Sequence, residues 1–432
     1  MKDGNLTTVF SKLEKVSVCV IGDFMIDAYT EGDIERISPE APVSVLHVKN
    51  EFSLPGGAGN VVLNLLSLGA DVLAIGRVGN DARGKELVKI LKDKGADTRA
   101  MICQDNYPTT VKNRLISSQQ QVFRIDHEDR VLLDTHLEEK VIKLLEEKLH
   151  LISAVAISDY AKGFLTDSLL TKIIDLCNRS KCPVIVDPKG LDFSKYSGAS
   201  LIKPNEKEAY LAAKMPVGSC LDKVASHLLN ASSASNLVIT RSEKGVSIFD
   251  KNKNRTDVPV HSKEVVDVTG AGDTVLAAVT LGLANQFTIV ESVKLANICA
   301  GIAIEKLGCV QVTLSDLAKR LLRKDSHNKI FDDQHLYALK HILEDQNITL
   351  VDIEALEDFS LKMFRSIKDL AEKGKELVLT TTKVHDLDLL ELIASIKEVD
   401  FVIQRKTSIE NLIEQIAPTR VFSLSFEKLT LV

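Results

Sequence analysis

No two of the seven cysteines (Cys19, Cys103, Cys177, Cys182, Cys220, Cys299, Cys309) form a C-x-x-C pair, and their number is odd. That pattern argues against a disulfide framework and a zinc knuckle, and fits a reducing compartment. Nor is basic charge in excess: 54 Lys and Arg face 60 Asp and Glu, a net charge of −6. Binding a phosphodiester backbone needs a basic face, so nucleic acid is not an expected partner, while a small local anion site remains compatible. No apolar run reaches the roughly 18 residues of a membrane span. The N-terminal MKDGNLTTVFSKLEKVSVCVIGD carries charge through its first apolar stretch, unlike a signal peptide. The expectation is a cytoplasmic protein with no membrane partner. No G-x-G-x-x-G occurs, so a dinucleotide site is not indicated.

The chain of 432 residues is 45% apolar and 26% charged, which predicts two or more soluble globular domains. From Val16 onward, β-rich runs such as VSVCVIG and DVLAIGRVG alternate with amphipathic helical segments such as VVLNLLSLG and GKELVKILKDKG. The alternation recurs through LISAVAISD, SLLTKIIDLCNRS, CPVIVDP, NEKEAYLAAK and NLVITRS. It predicts βαβ units around a mostly parallel sheet, with ligands at the strand ends. Residues 41–55 and 109–128 instead alternate apolar and polar with no helix between, as solvated antiparallel strands do. They predict a small β lid, taken as about 31–55 and 105–128. The charged RLLRKDSHNK (320–329) is the linker candidate, so the expected division is a first domain over 1–325, a linker over 326–334 and a smaller α/β domain over 335–432.

In VDVTGAGDT (266–274), Gly270, Ala271 and Gly272 precede an apolar helix. Unpaired N–H groups at such a helix start suit a phosphate, and Asp273 beside them suits removal of a proton from an attacking hydroxyl. A helix cap explains the motif about as well when it stands alone. GNDARGKE (79–86) matches G-x-x-x-x-G-K, but Glu86 stands where a Walker A loop needs Ser or Thr; a βα turn carrying a surface Lys85 is the better reading. LPGGAGN (54–60) puts Gly56 and Gly57 in a tight turn ahead of Asn60, where backbone amides and an amide side chain suit a polyhydroxy ligand. Asp27 follows a strand and suits sugar hydroxyls or a turn. Asn205, Glu206, Lys207 and Glu208 start a helix as a cap, or else position the waters of a nucleotide-bound Mg²⁺. Thr240 to Gly245 (TRSEKG, with Lys244) reads as the turn of a strand pair with scope for nucleoside contacts.

Taken in order, the GG-A-G-N segment, the N-x-x-E segment and V-T-G-A-G-D resemble the ribokinase (PfkB) family of carbohydrate kinases over most of residues 16–318. Within it the similarity is strongest to the heptose 7-phosphate kinase branch, through 22–48, 117–128, 157–165, 186–196 and 295–308. The resemblance implies a three-layer α/β/α ribokinase-like domain with a small β lid that often pairs subunits, and ATP and Mg²⁺ as cofactors. The implied reaction is phosphorylation of the anomeric hydroxyl of D-glycero-D-manno-heptose 7-phosphate. It implies Asp273 as catalytic base, Gly270, Ala271 and Gly272 as anion hole, and Asn205 to Glu208 as the Mg-nucleotide segment, with Asn205 and Glu208 reaching the metal through water. Asp27, Gly56, Gly57 and Asn60 become sugar contacts. Charge alone nominates Lys112, Arg114, Arg124 and Lys189 for the sugar's phosphate. Residues 335–432 resemble a Rossmann-like adenylyltransferase domain whose H-x-G-H is missing: no histidine lies between His341 and His385, and Ser360, Leu361, Lys362 and Met363 stand where the motif is expected. The expectation is a degenerate domain with an unknown partner. Another sugar or nucleoside kinase of the family, and a non-catalytic sugar-phosphate or nucleotide sensor, remain alternatives.

Overall fold

The computed structural model describes residues 12–118, 120–260, 265–306, 308–322, 329–332, 336–343, 346–353, 361–372, 377–382, 387–425 and 428–431. They fall into two compact units, Val16–Val312 and a second made of the N-terminal residues with Thr313–Val432.

The larger unit begins with β1 (Ser17–Gly22), β2 (Phe24–Ile37), β3 (Ser44–Gly57), α1 (Ala58–Ser67), β4 (Asp71–Gly79), α2 (Ala82–Asp93), β5 (Met101–Gln104), β6 (Val111–Ser117) and β7 (Gln120–His127). It continues with α3 (Thr135–Lys148), β8 (Ala154–Ser158), α4 (Asp167–Arg179), β9 (Val184–Asp187), β10 (Leu201–Ile202), α5 (Glu206–Ala212) and α6 (Leu221–Ser232). The hairpin β11 (Asn236–Thr240), β12 (Val246–Asp250) and β13 (Arg255–Val258) precedes α7 (Ala271–Ala284) and α8 (Ile289–Ala303). Nine strands form one sheet in the order β13-β12-β11-β10-β9-β8-β1-β4-β5, parallel except for β11–β12 and β12–β13. The mostly parallel α/β sheet expected from the alternation is what forms. Strand order reverses at β1, with β4 and β5 on one side and β8 to β13 on the other; the crevice beyond the carboxyl ends of strands at such a point is where open α/β sheets take ligands.

Helix α7 is apolar on nearly every side and buried along most of its length, so it is a core helix rather than a surface one. It packs against α1, β8 and β9 as well as α8.

β2, β3, β6 and β7 form a separate four-stranded sheet in the order β3-β2-β6-β7. Two details differ from expectation. β2 starts at Phe24 rather than near residue 31 and pairs with β3 as far as Gly57, while 105–110 precede the strand β6. The lid is also mixed, because β2 and β6 run parallel, Asp27 opposite Lys112 and Tyr29 opposite Arg114. The apolar–polar alternation was read as antiparallel, but one solvated face gives the same alternation in either direction.

The second unit holds a six-stranded sheet in the order β14-β17-β16-β15-β18-β19, from β14 (Ile330–Asp332), β15 (Ile348–Ile353), β16 (Leu377–Thr382), β17 (Phe401–Gln404), β18 (Arg420–Ser425) and β19 (Lys428–Leu431). It is parallel except for the terminal β18–β19 pair. Val351, Ile353, Ile367, Leu390, Ile393, Val402 and Leu424 make its core. Ile330–Asp332, inside the expected linker, is a strand paired with Phe401–Gln404, and the helix Leu314–Leu322 clusters with this unit rather than the first. The charge of 320–329 suggested a linker, while IFD alone is too short to show a period. Ser360 lies outside the described residues, and Leu361, Lys362 and Met363 open the helix Leu361–Glu372.

Candidate active site

The residues that meet in the crevice stand at the carboxyl ends of parallel strands. Asp23 follows β1, Asp159 and Tyr160 follow β8, Asp187 ends β9, and Lys203 follows β10. Into the same place α7 brings Asp273, which is 5% exposed. One oxygen of its carboxylate, Oδ2, accepts a hydrogen bond from Asn60 Nδ2 at 2.8 Å, and Oδ1 accepts one from the Tyr160 hydroxyl at 2.8 Å. Burial pushes this carboxyl up to about 6, against the two hydrogen bonds, with Asp187 raising it further and Lys203 lowering it. A carboxylate of that proton affinity is suited to act as a base near neutrality.

Gly270 caps α7 in the left-handed region at φ 77°, and a Cβ there would lie 2.8 Å from Asn60 Nδ2 and 3.1 Å from Cys309 Sγ. The Ala271 N–H donates to the Val268 carbonyl at 3.2 Å, while the N–H groups of Gly272 and Asp273 have no acceptor among the described residues. The open donors are therefore those of Gly272 and Asp273 rather than of Ala271. A Cβ on Gly272 would stand 3.9 Å from both Asp187 Oδ2 and Lys203 Nζ, so this helix start faces an ion pair that is itself closed at 3.1 Å. Lys203 is 2% exposed, a buried cation beside an anion-seeking helix terminus.

The lid supplies the second half. Asp27 Oδ1 accepts from Arg114 Nη1 at 2.6 Å, and both side chains are largely buried. Lys112 Nζ lies 5.2 Å above the Tyr160 ring. Burial lowers the Lys112 ammonium from its usual range; Asp27 opposes the shift, and Lys162, Arg114 and Arg124 add to it. Lys162, Arg114 and Arg124 are thus each near enough to repel Lys112, although each is paired with an acid of its own, Glu128, Asp27 and Asp126 respectively. Arg124 is opposite Arg114 in the strand pair and holds Asp126 at 2.8 and 2.9 Å. Gly56 and Gly57 are tight against this cluster: a Cβ on Gly56 would stand 2.4 Å from Asp27 Oδ2, and one on Gly57, at φ 56°, 2.6 Å from the Asp23 carbonyl.

Lys189 is elsewhere. Its ammonium pairs with Glu208 Oε1 at 2.8 Å, which puts it with the nucleotide segment and not with the lid cations. Asn205 and Glu208 form a reciprocal capping box on α5, Glu208 N to Asn205 Oδ1 at 2.9 Å and Asn205 N to Glu208 Oε2 at 3.1 Å. Thr240 bridges Asn205, Arg241 lies 3.5 Å from Glu206, and the turn through Lys244 to Gly245 closes the β11–β12 hairpin. These two segments make one surface, with Lys207 and Lys244 exposed on it. Among the described residues no cluster of three His, Cys, Asp or Glu could cage a metal. An amide oxygen and a carboxylate already engaged in a cap fit an ion that keeps its own water.

The turn before Lys85 is filled by an acid of its own. Asp81 caps α2, and its carboxylate takes the Gly84 N–H at 2.6 Å, the Thr109 N–H at 2.8 Å and the Thr109 hydroxyl at 2.8 Å. The donors a P-loop offers to phosphate are here spent on the chain's own acid.

Sequence reasoning singled out neither Tyr160, Asp23, Asp187, Lys203 nor Cys309. The strand-end rule applied to VIGD, ISDY, VDPK and LIKP finds all but the last. Asp23 is a support: its carboxylate accepts from Tyr160 N at 2.8 Å and Lys162 N at 3.2 Å, fixing the loop that delivers the tyrosine. Burial and then the adjacent Asp159 push Asp23 up to about 6.

A buried carboxylate at an open helix N-terminus, with lid cations around a second carboxylate, is an arrangement suited to taking a proton from a hydroxyl beside a bound phosphate. The chain belongs to the pfkB family of carbohydrate kinases, whose model matches residues 15–316, and it is an ATP-dependent sugar kinase. It is 42% identical over 327 residues to the Bifunctional protein HldE of Trichlorobacter lovleyi, covering 75% of this chain and 67% of the relative. To the Bifunctional protein HldE of Helicobacter hepaticus it is 36% identical over 411 residues, 89% and 84% of the two chains, so that similarity runs into the second unit. Among solved structures it is similar to Escherichia coli phosphofructokinase-2 in complex with potassium, with TM-score 0.58, 20% identity, and 72% and 98% of the two chains covered. It is also similar to Arabidopsis thaliana ribokinase complexed with ribose and ATP, with TM-score 0.56, 19% identity, and 71% and 99% covered.

The Asp273 carboxyl, at about 6 in the fold against an ordinary 3.8, favours its neutral form there. Its contribution to stability is complete below about pH 4 and lost as pH rises through about 6. Asp273→Asn should therefore gain stability relative to wild type between pH 4.5 and pH 8 in paired urea titrations. A difference that stays constant over that interval overturns the assignment of a raised carboxyl.

Proposed function

We propose that this chain transfers the γ-phosphoryl group of ATP to the anomeric hydroxyl of D-glycero-D-manno-heptose 7-phosphate. The product is the 1,7-bisphosphate, on the route to ADP-heptose and the lipopolysaccharide core in the cytoplasm. The observation that carries the reading is the pairing of Asp273, a base tuned by burial, with Lys112 and Arg114 about Asp27. A sugar bearing its own phosphate needs cations on the sugar side, and a sugar without one does not.

In the transfer the anomeric oxygen attacks the γ-phosphorus, its proton passes to the Asp273 carboxylate, and the bond to the bridging oxygen of ADP breaks. The N–H groups of Gly272 and Asp273, with the N-terminal end of α7, face the charge on the transferred group. Asp27, Asn60 and the Gly56–Gly57 turn hold the sugar hydroxyls, and Lys112 and Arg114, flanked by Arg124, hold its phosphate. Asn205 and Glu208 would hold Mg²⁺ through its water, and the turn through Thr240, Lys244 and Gly245 takes the nucleoside. Bound with the nucleotide, Mg²⁺ neutralises phosphate charge.

The lid pairs two copies of this chain: Ile34, Val48, Phe52, Val122, Phe123 and Ile125 lie exposed on its strands, too many apolar side chains on one small sheet for a face left in water. The second domain has no adenylyltransferase activity, a reading supported by the absence of any histidine from 342 to 384, although the relatives' name is bifunctional.

Purified protein given ATP, Mg²⁺ and heptose 7-phosphate should release ADP and the bisphosphate, and Asp273→Asn should lose at least a hundredfold in kcat. Lys112→Ala and Arg114→Ala should each raise KM for the sugar phosphate about tenfold or more and leave that for ATP unchanged. Equal turnover of sugars without a phosphate defeats the heptose 7-phosphate assignment. Heptose 1-phosphate with ATP should yield no ADP-heptose; its formation by this chain refutes the silent second domain. In sedimentation velocity Phe123→Glu should shift dimer to monomer, and a wild-type monomer at micromolar concentration dismisses the lid pairing.

A further inference from the structure

We infer that Tyr160 is a positioning residue for phosphoryl transfer, its hydroxyl holding the Asp273 carboxylate in the orientation and charge state that take the proton. The inference deepens the proposed function and rests on Asp273 as its base.

Three observations fix the tyrosine where this role requires it. Its hydroxyl donates to Asp273 Oδ1 at 2.8 Å while Asn60 holds Oδ2 at 2.8 Å, so the carboxylate plane cannot rotate without breaking one of the two bonds. Each oxygen keeps a lone pair for the incoming hydroxyl. The backbone of Tyr160 is in turn pinned by Asp23, whose carboxylate takes its N–H at 2.8 Å. Finally, Lys112 Nζ stands 5.2 Å over the centre of the ring, and the edge of the ring is 3.4 Å from where a Cβ on Gly57 would be. The tyrosine therefore spans from the sugar-side glycine turn and the lid cation to the base.

Energetics point the same way. A hydrogen bond to a charged carboxylate favours the charged form. Burial, with Asp187 next to it, drives Asp273 toward the neutral acid, which cannot accept a proton, and Asn60, Tyr160 and Lys203 oppose that drive. Cys309 and Asp27 complete the surroundings: the Cys309 thiol is pushed up to about 12 by burial and then by Asp27 and Asp273, so it stays neutral and adds no charge. The hydroxyl of Tyr160 is itself raised well above its usual range, first by burial and then by Asp273, and remains a donor throughout the working range.

Tyr160→Phe keeps the ring and removes only the donor. Its kcat should fall roughly tenfold to a hundredfold with KM for ATP unchanged. The acid limb of its kcat/KM profile should rise by about one pH unit, as the loss of one hydrogen bond to a charged group requires. The same shift should appear without turnover in the infrared titration of the carboxyl band that wild type shows and Asp273→Asn lacks, compared between wild type and Tyr160→Phe. A tyrosine that merely packs would change neither pH midpoint, so an unmoved midpoint overturns the inference even if kcat falls. If Asp273→Asn turns over like wild type, the base reading fails and takes the transfer role of Tyr160 with it. An inactive Asp273→Asn with an unmoved midpoint in Tyr160→Phe overturns the tyrosine alone.

Discussion

The arrangement of this kinase unit depends on keeping one carboxylate, Asp273, almost dry. A charge taken out of water must be compensated or neutralised, and here the compensation is partial by construction. Two neutral donors, Asn60 and Tyr160, and a cation already shared with Asp187 leave the acid with its affinity for protons raised. Much of the surrounding fold serves that balance. Helix α7 has to be apolar on all sides because its N-terminus must end inside the molecule. The αL glycine at 270 is required because any side chain would strike Asn60 or Cys309. Asp23, buried and raised like Asp273, secures the loop that carries Tyr160.

Two helix starts in the chain make the logic plain. Both α2 and α7 follow glycine-containing turns, and both were candidates for phosphate from their spacing. At α2 the residue before the helix is Asp81, which folds back onto Gly84 and Thr109 and fills the terminus with its own charge. At α7 that position is Gly270, which has no side chain to fold back, and the acid comes three residues later, bound to groups outside the helix. Capping and anion binding draw on the same unpaired N–H groups, so one terminus cannot do both. Which of the two a motif does is decided by the side chain at the cap position.

The sheet, its parallel run and the β11–β12 hairpin were legible because periodicity records which face of each segment is buried. The helix start at Gly270 with Asp273, the glycine turns, Asp27 and the capping box at Asn205 were legible as motifs. Less visible was whatever depends on pairing between distant segments. The direction of β2 against β6 leaves no trace in alternation, and a three-residue strand such as Ile330–Asp332 has too little pattern to register. Lys189 was grouped with Lys112 and Arg114 by charge alone, and charge says nothing of which strand end a lysine leaves; at the end of β9 its nearest acid is Glu208. Tyr160 was missed because a tyrosine in a loop has no motif, and its role arises only when β8 places it beside the start of α7.

The second unit reads as a scaffold whose chemistry is carried by few residues. Its parallel strands and strand-to-helix spacing survive in the described residues, and similarity to the Helicobacter hepaticus relative continues into it. At the carboxyl side of its sheet one buried ion pair is placed: Arg405 Nη2 donates to both oxygens of Asp352, at 2.8 and 3.1 Å, while Arg405 Nε has no partner among the described residues. A guanidinium neutralised in this way is a poor catcher of phosphate, since binding an anion would first require parting a desolvated ion pair. Packing thus constrains the strand faces of this sheet, while at its strand ends a buried acid and a buried base are held by each other.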